Sequence, residues 1–168
     1  MSVIQHTTSL EQLPDRAAIA DVLARYFLGL DRELPETVSS CFTEDVSAKY
    51  DERPLVVGRD ALMGSLRVWR ETAEGKIKRT THFMGTLNFH RLHGDMAETE
   101  TYAIAFLVET AGGDHVNMRS LRYIDRFRRT PEGWRICERT HTLDWSCKVP
   151  AAFSTVASSF MSRPLKQD

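Results

Sequence analysis

The sequence predicts an α+β fold: a cone-shaped α+β barrel in which N-terminal helices pack on a curved antiparallel sheet. Three observations carry that expectation. Helical periodicity marks three segments of the first 75 residues, alternation fills residues 79–147, and short turn signals divide the second part into four long segments. Helices first and strands afterwards suit separate α and β layers rather than alternating βαβ units. The chain has 168 residues and no repeat, linker or low-complexity stretch. One core accounts for that length, since such a chain buries roughly 70% of the surface its unfolded form exposes.

The first helix is the strongest. In "PDRAAIADVLARYFLGLDRE", Ile19, Val22, Leu23, Tyr26, Phe27 and Leu30 recur at helical spacing, and Pro14 and Asp15 supply a start. "LPETVSSCFTED" predicts a second, short helix, again opened by a proline and a glutamate. "VSAKYD" has strand character. "VGRDALMGSLRVWRETAEG" predicts a third helix, with Leu62, Leu66 and Trp69 on one side and Gly75 ending it. "RTTHFMGTLNFHRL" then turns at His93, Gly94 and Asp95 into "MAETETYAIAFLVE". "AGGD" leads into "HVNMRSLRYIDRFRRT", and "TPEG" into "WRICERTHTLDWSC". Residues 1–9 read as a loose leader, 10–147 as the cone domain, and 148–168 as a tail whose helix-like spacing makes it a candidate cover for the pocket mouth.

Composition narrows the function. Hydrophobic residues at 42% and charged residues at 27% sit near the globular average, which argues against disorder. Twenty-two Lys and Arg against 23 Asp and Glu leave a charge of −1, so the basic footprint of nucleic-acid binding is missing. No apolar run is long enough to span a bilayer, and the start lacks the basic-then-apolar pattern of a signal peptide. Cys41, Cys137 and Cys147 lack metal-ligand spacing and read as reduced thiols. The expectation is a cytoplasmic protein with no nucleic-acid or membrane partner. No phosphate-cradling loop, dinucleotide fingerprint or nucleophile elbow is present. "HRLH" falls on a hairpin without a cysteine pair, so no metal site is expected there.

The chemistry starts with "RTTHFMGTLNF". Alternation places His82, Met84, Thr86 and Asn88 on one face, neither greasy nor charged, as a semi-polar cavity requires. Phe83, Leu87 and Phe89 take the other face, an ordinary core. Asp31 ends the first helix, where the macrodipole disfavours a carboxylate by about 0.3–1 kcal/mol unless something compensates. A histidine would compensate, and the carboxylate would in turn fix the histidine's tautomer and stabilise its imidazolium. The pair is then a general base able to take a proton from carbon. The plainer alternatives are a solvated helix end and a structural strand histidine.

Tyr26 lies five residues before Asp31, rotated from it by about 140°. It suits either a leaving oxygen or the core. Met84, Thr86 and Asn88 are the candidate substrate-contacting residues beside His82, with a solvent-facing strand side the alternative for Thr86 and Asn88. In "HVNMRSLRYIDRFRR", Met118, Ser120, Arg122, Ile124 and Arg126 alternate with Arg119, Leu121, Tyr123, Asp125 and Phe127, and one of these faces is exterior or a subunit contact. Trp134 and Ile136 read as core. Parity does not fix the side taken by Arg139, His141 and Asp144, because bulges are common in curved sheets; one of them reaching the cavity would stabilise an oxyanion, and a solvated strand is the alternative. His90, His93 and His115 fall at strand ends or turns and are expected to be exposed.

"ARYFLGLD", "TTHFMGTLNF" and the closing "LRYIDRFRRTPEGWRICERTHTLDW" together resemble the SnoaL-like branch of the nuclear transport factor 2-like superfamily, over roughly residues 10–147. The resemblance implies the cone described above, assembled as a homodimer or homotrimer. It points to three cofactor-independent lyases: scytalone dehydratase, hexachlorocyclohexane dehydrochlorinase and bile-acid 7α-dehydratase. In these an aspartate ending the first long helix orients a strand histidine that acts as base, and Asp31 in "GLD" and His82 in "TTHF" match those places. The tyrosine five residues before the aspartate of the bile-acid enzyme corresponds to Tyr26, and Arg139 is the nearest match to a late arginine. The second histidine and additional tyrosines of scytalone dehydratase find no placed match. The implied activity is a dehydratase-type elimination on a small hydrophobic cyclic substrate without a cofactor. Isomerases, polyketide cyclases and the small subunit of ring-hydroxylating dioxygenases share the fold and remain the rival readings.

Overall fold

The computed structural model describes residues 9–110 and 115–150. The leader before Ser9, the "AGGD" turn and the tail beyond Pro150 lie outside the described residues. The elements run α1 (Leu13–Asp31), α2 (Pro35–Ser39), β1 (Phe42–Tyr50), β2 (Val56–Val57), α3 (Arg59–Ser65), α4 (Arg67–Ala73), β3 (Ile77–His93), β4 (Met96–Glu109), β5 (His115–Thr130) and β6 (Gly133–Pro150). One curved, unclosed sheet holds all six strands in the order β2-β1-β6-β5-β4-β3, with the helices packed on its inner side. This is the α+β architecture that the order of elements predicts.

The first helix buries the side its periodicity selects: Ile19, Val22, Leu23, Tyr26, Phe27 and Leu30 all enter the core. Gly29 is required by a close approach. A Cβ there would sit 2.6 Å from Val38 Cγ2, so α2 can lie against α1 only without a side chain at this position. The second helix is shorter than expected. It ends at Ser39, and the strand β1 begins at Phe42, because Cys41, Phe42, Val46 and Ala48 are claimed by the core beside β6. The third helix is broken in two at Leu66, whose ψ of 107° is extended. The break turns the Leu66 side chain into the interior, and the freed Ser65 carbonyl accepts from Arg53 Nη1 at 3.1 Å.

Two pairings set the site. The strand β1 runs parallel to β6, with Tyr50 opposite His141, joining the start of the sheet to its end. The strands β3, β4, β5 and β6 form the expected antiparallel meander. On β3, Met84 pairs with Ala103 and Leu87 with Thr101, so one extra residue is accommodated between them. Gly85 sits in this bulge, where a Cβ would come within 2.9 Å of the Tyr102 carbonyl oxygen.

The bulge overturns the simple parity of "RTTHFMGTLNF". His82 and Met84 face inward before it, and Leu87 and Phe89 face inward after it. Thr86 and Asn88 are turned outward and exposed, and Phe83, expected in the core, is 66% exposed on the outer face. There Phe83 aligns across the sheet with Ile104, Ser120 and Trp145, an outward row that begins and ends in exposed aromatic rings. On β5 the alternation holds: Leu121, Tyr123, Asp125 and Phe127 are buried, and Ile124 and Arg126 are exposed.

Candidate functional site

Asp31 closes α1 against β3, and three donors converge on its carboxylate. His82 Nδ1 lies 2.6 Å from Oδ1, the His82 backbone N–H donates to Oδ2 at 2.7 Å, and the Thr80 hydroxyl donates to Oδ1 at 2.8 Å. Burial alone would lift this carboxyl. The His82 hydrogen bond and charge, the backbone N–H and Thr80 outweigh it and hold Asp31 below the ordinary carboxylate value. The same donors compensate the unfavourable helix end anticipated from the sequence. Phe27, one turn back on α1, stacks on the His82 ring at 5.7 Å and 22°. The ring is therefore fixed on one edge by a carboxylate and on one face by an aromatic. A carboxylate on Nδ1 requires the Nδ1–H tautomer in the neutral ring, which leaves Nε2 as a lone pair.

His82 opens onto a cavity of about 380 Å³. That falls at the small end of the ~300–1,000 Å³ range of small-molecule sites. Leu30, Leu66, Ala105, Leu107 and Leu121 supply its apolar wall, and Tyr26, Tyr50 and Tyr123 its phenols. Tyr26 is buried, and its hydroxyl lies 3.1 Å from that of Tyr50. Burial, with Tyr50 and Tyr123 beside it, raises the Tyr26 phenol well above its ordinary value, so it stays protonated.

A second histidine–aspartate pair lines the same cavity. His141 Nδ1 lies 3.0 Å from Asp51 Oδ1, and the Asp51 backbone N–H donates to the His141 carbonyl at 2.8 Å. The imidazole is stacked on Tyr50 at 5.1 Å and meets Tyr123 edge-on at 4.9 Å. Burial, reinforced by the charges of Arg139 and Arg119, depresses it to about 4 against the opposing pull of Asp51. Sequence reasoning left His141 unplaced and missed its partner. The two are 90 positions apart and meet only because β1 pairs with β6.

The remaining candidates separate. Arg139 is fully buried, not a solvated strand residue, and is not part of the cavity wall. Its Nε and Nη2 donate to the two oxygens of Asp125 at 2.7 and 2.8 Å, and Tyr26 and Tyr123 flank the guanidinium at 4.2 and 4.6 Å. It braces the aromatic floor beneath the cavity. Met84 packs on the core. Thr86 and Asn88 are carried outward by the bulge, away from His82, so the shared face expected for these three residues does not exist. Asp144 is on the outside with Arg122, and His90, His93 and His115 are exposed as expected.

Comparison with known proteins places the fold. The model of the SnoaL-like domain matches residues 11–140. The chain belongs to the SnoaL-like family. An uncharacterised relative from Mycobacterium tuberculosis, Rv2910c, is 29% identical over 134 residues, covering 80% of this chain and 88% of the relative. Among solved structures, a protein of Novosphingobium aromaticivorans provisionally named a scytalone dehydratase superposes with a TM-score of 0.72 at 18% identity, covering 84% of this chain and 91% of the other. The hexachlorocyclohexane dehydrochlorinase LinA-type3 of Novosphingobium barchaimii superposes at 0.71 with 15% identity, covering 84% and 94%. At these identities the two likenesses establish the cone fold of the SnoaL-like chain. No helix among the described residues is long and apolar enough to cross a membrane.

Proposed function

We propose that this SnoaL-like protein is a cofactor-independent lyase that eliminates water or halide from a small, hydrophobic, cyclic substrate. The observation that carries the reading is the Asp31–His82 contact of 2.6 Å at the wall of a largely apolar cavity. His82 Nε2 takes a proton from carbon, the C–H electrons form the double bond, and the bond to the leaving group breaks. Asp31 holds the imidazolium so formed. Tyr26, protonated and tied to Tyr50, hydrogen-bonds the departing oxygen or halide. When hydroxide leaves, it takes the proton from His82 and departs as water, which restores the neutral ring. A positioned base of this kind supplies typically ~10²–10⁴-fold, and orientation in a water-poor cavity supplies more.

An isomerase or cyclase would use the same base and return the proton elsewhere, so the product decides between them. A purely structural subunit would have no use for an open cavity or for a carboxylate-oriented histidine at its wall. The homodimer or homotrimer implied by the family resemblance would find apolar surface in the outward row from Phe83 to Trp145. The test is turnover of a panel containing scytalone, hexachlorocyclohexane and cyclic β-hydroxy ketones, with the alkene product identified by mass. His82→Ala should abolish turnover of whichever probe is accepted, with an unchanged circular dichroism spectrum. Undiminished turnover in that variant overturns the mechanism.

A further inference from the structure

The cavity holds two histidine–carboxylate pairs, and the elimination uses only one. We infer that His141, held by Asp51, is the substrate-orienting residue of this site: it accepts a hydrogen bond from a hydroxyl of the substrate. The substrate class is then a small cyclic alcohol or phenol whose hydroxyl lies across the cavity from its acidic C–H. This inference rests on the lyase reading only for the identity of that C–H end.

The tautomer follows from the contacts. Asp51 Oδ1 sits 3.0 Å from Nδ1, and a carboxylate accepts only, so Nδ1 carries the hydrogen and Nε2 presents a lone pair. The surroundings keep the ring neutral. Arg119, which also contacts Asp51 at 3.7 Å, and the buried Arg139 face it from β5 and β6, and burial opposes a further positive charge. No side chain among the described residues donates to Nε2. The nearest phenols offer their rings rather than their hydroxyls: Tyr50 is stacked on the imidazole, and its hydroxyl is engaged with Tyr26. Tyr123 stands edge-on. A lone pair at a cavity wall that the protein itself does not use is suited to a ligand O–H, and it penalises a ligand that lacks one.

Position supports the division of labour. His82 is on the edge strand β3 and His141 on β6, with β4 and β5 between them in a curved sheet. The two lone pairs therefore address a bound molecule from different sides. His82 sits against the Asp31 carboxylate, which also accepts from the His82 backbone N–H and the Thr80 hydroxyl. His141, flanked by two arginines, is equipped to remain neutral and accept.

Two measurements on the full chain test the inference without requiring turnover. Long-range ¹H–¹⁵N correlation at pH 7 should show His141 as the neutral Nδ1–H tautomer, and an Nε2–H tautomer or an imidazolium overturns the proposal. Binding of 4-ethylphenol should then exceed binding of 4-ethylanisole, its methyl ether, by about tenfold, since one hydrogen bond of ~1.4 kcal/mol is a factor of ten. The preference should shrink to less than threefold in His141→Phe. Equal or absent binding of the phenol by the wild type overturns the proposal. So does a preference kept in full in His141→Phe. Failure of the elimination mechanism would leave these readouts untouched and would appear instead as turnover in His82→Ala.

Discussion

The two histidine–aspartate pairs share a cavity and a residue composition, yet they are different devices. Asp31 gathers the His82 ring, the His82 backbone N–H and the Thr80 hydroxyl within 2.8 Å. Asp51 has the His141 ring at 3.0 Å and Arg119 at 3.7 Å, on a backbone held at a φ of 53°. Around the first pair the donors favour charge separation. Around the second, burial and two guanidinium groups oppose protonation of the ring. The role of such a pair is set by the charges and donors behind it, not by the pair itself.

The largest expected effect separates the two carboxylates. Asp31→Asn should lower kcat on an accepted probe by on the order of 10³-fold, since the imidazolium loses its counter-charge and the tautomer its lock. Asp51→Asn, in a left-handed conformation that Asn tolerates, should raise KM by up to about tenfold with kcat little changed. Equal losses of kcat in the two variants would break the division.

Acid stability sharpens it further. His141 is depressed to about 4 in the folded chain against 6.5 for the free side chain, so between those values the unfolded chain binds the extra proton. Its contribution is fully present above pH 6.5 and is lost as pH falls toward 4, on the order of 3 kcal/mol in all. Asp31, held below its ordinary value of 3.8, contributes stability that is lost only at lower pH, as the pH falls through its folded value. Urea unfolding from pH 7 to 3 should therefore show two windows, and His141→Phe should flatten the upper one alone. An unaltered slope between pH 6.5 and 4 in that variant would show that His141 is not depressed. The smallest effect is expected at Thr80→Val, which removes one hydroxyl donor from a carboxylate. It should cost about 1–2 kcal/mol in urea unfolding, and no loss would show Asp31 to be satisfied without it.

Much of this was legible in the residues. The burial of α1 follows its 3.6-residue stripe from Ile19 to Leu30, and the alternation of β5 correctly separates Leu121, Tyr123, Asp125 and Phe127 from their neighbours. Asp31 and His82 could be nominated because each is odd for its place, a carboxylate at a helix C-terminus and an imidazole among threonines on a strand. Thr86, Asn88 and Phe83 were misplaced for one physical reason: a single inserted residue at Gly85 reverses the face of everything after it, and period-2 reasoning cannot see it. The break at Leu66 was missed for a related reason, since helical periodicity continues straight through it, although Leu66 is buried as its place on the apolar side predicts.

The sequence by itself determined the helix-rich first half and the stranded second half, the buried stripe of α1, the turns at Gly94 and before Gly133 and the nomination of Asp31 with His82, because these depend on patterns within about 20 residues. Only the tertiary structure decided that Asp51 meets His141, that Arg139 is sealed against Asp125 rather than open to the cavity, and which side of β3 each residue takes. Those outcomes depend on the parallel pairing of β1 with β6 and on a bulge paired across β4. Partners far apart in the chain are chosen by the packing of the whole sheet, and local propensity carries no record of that choice.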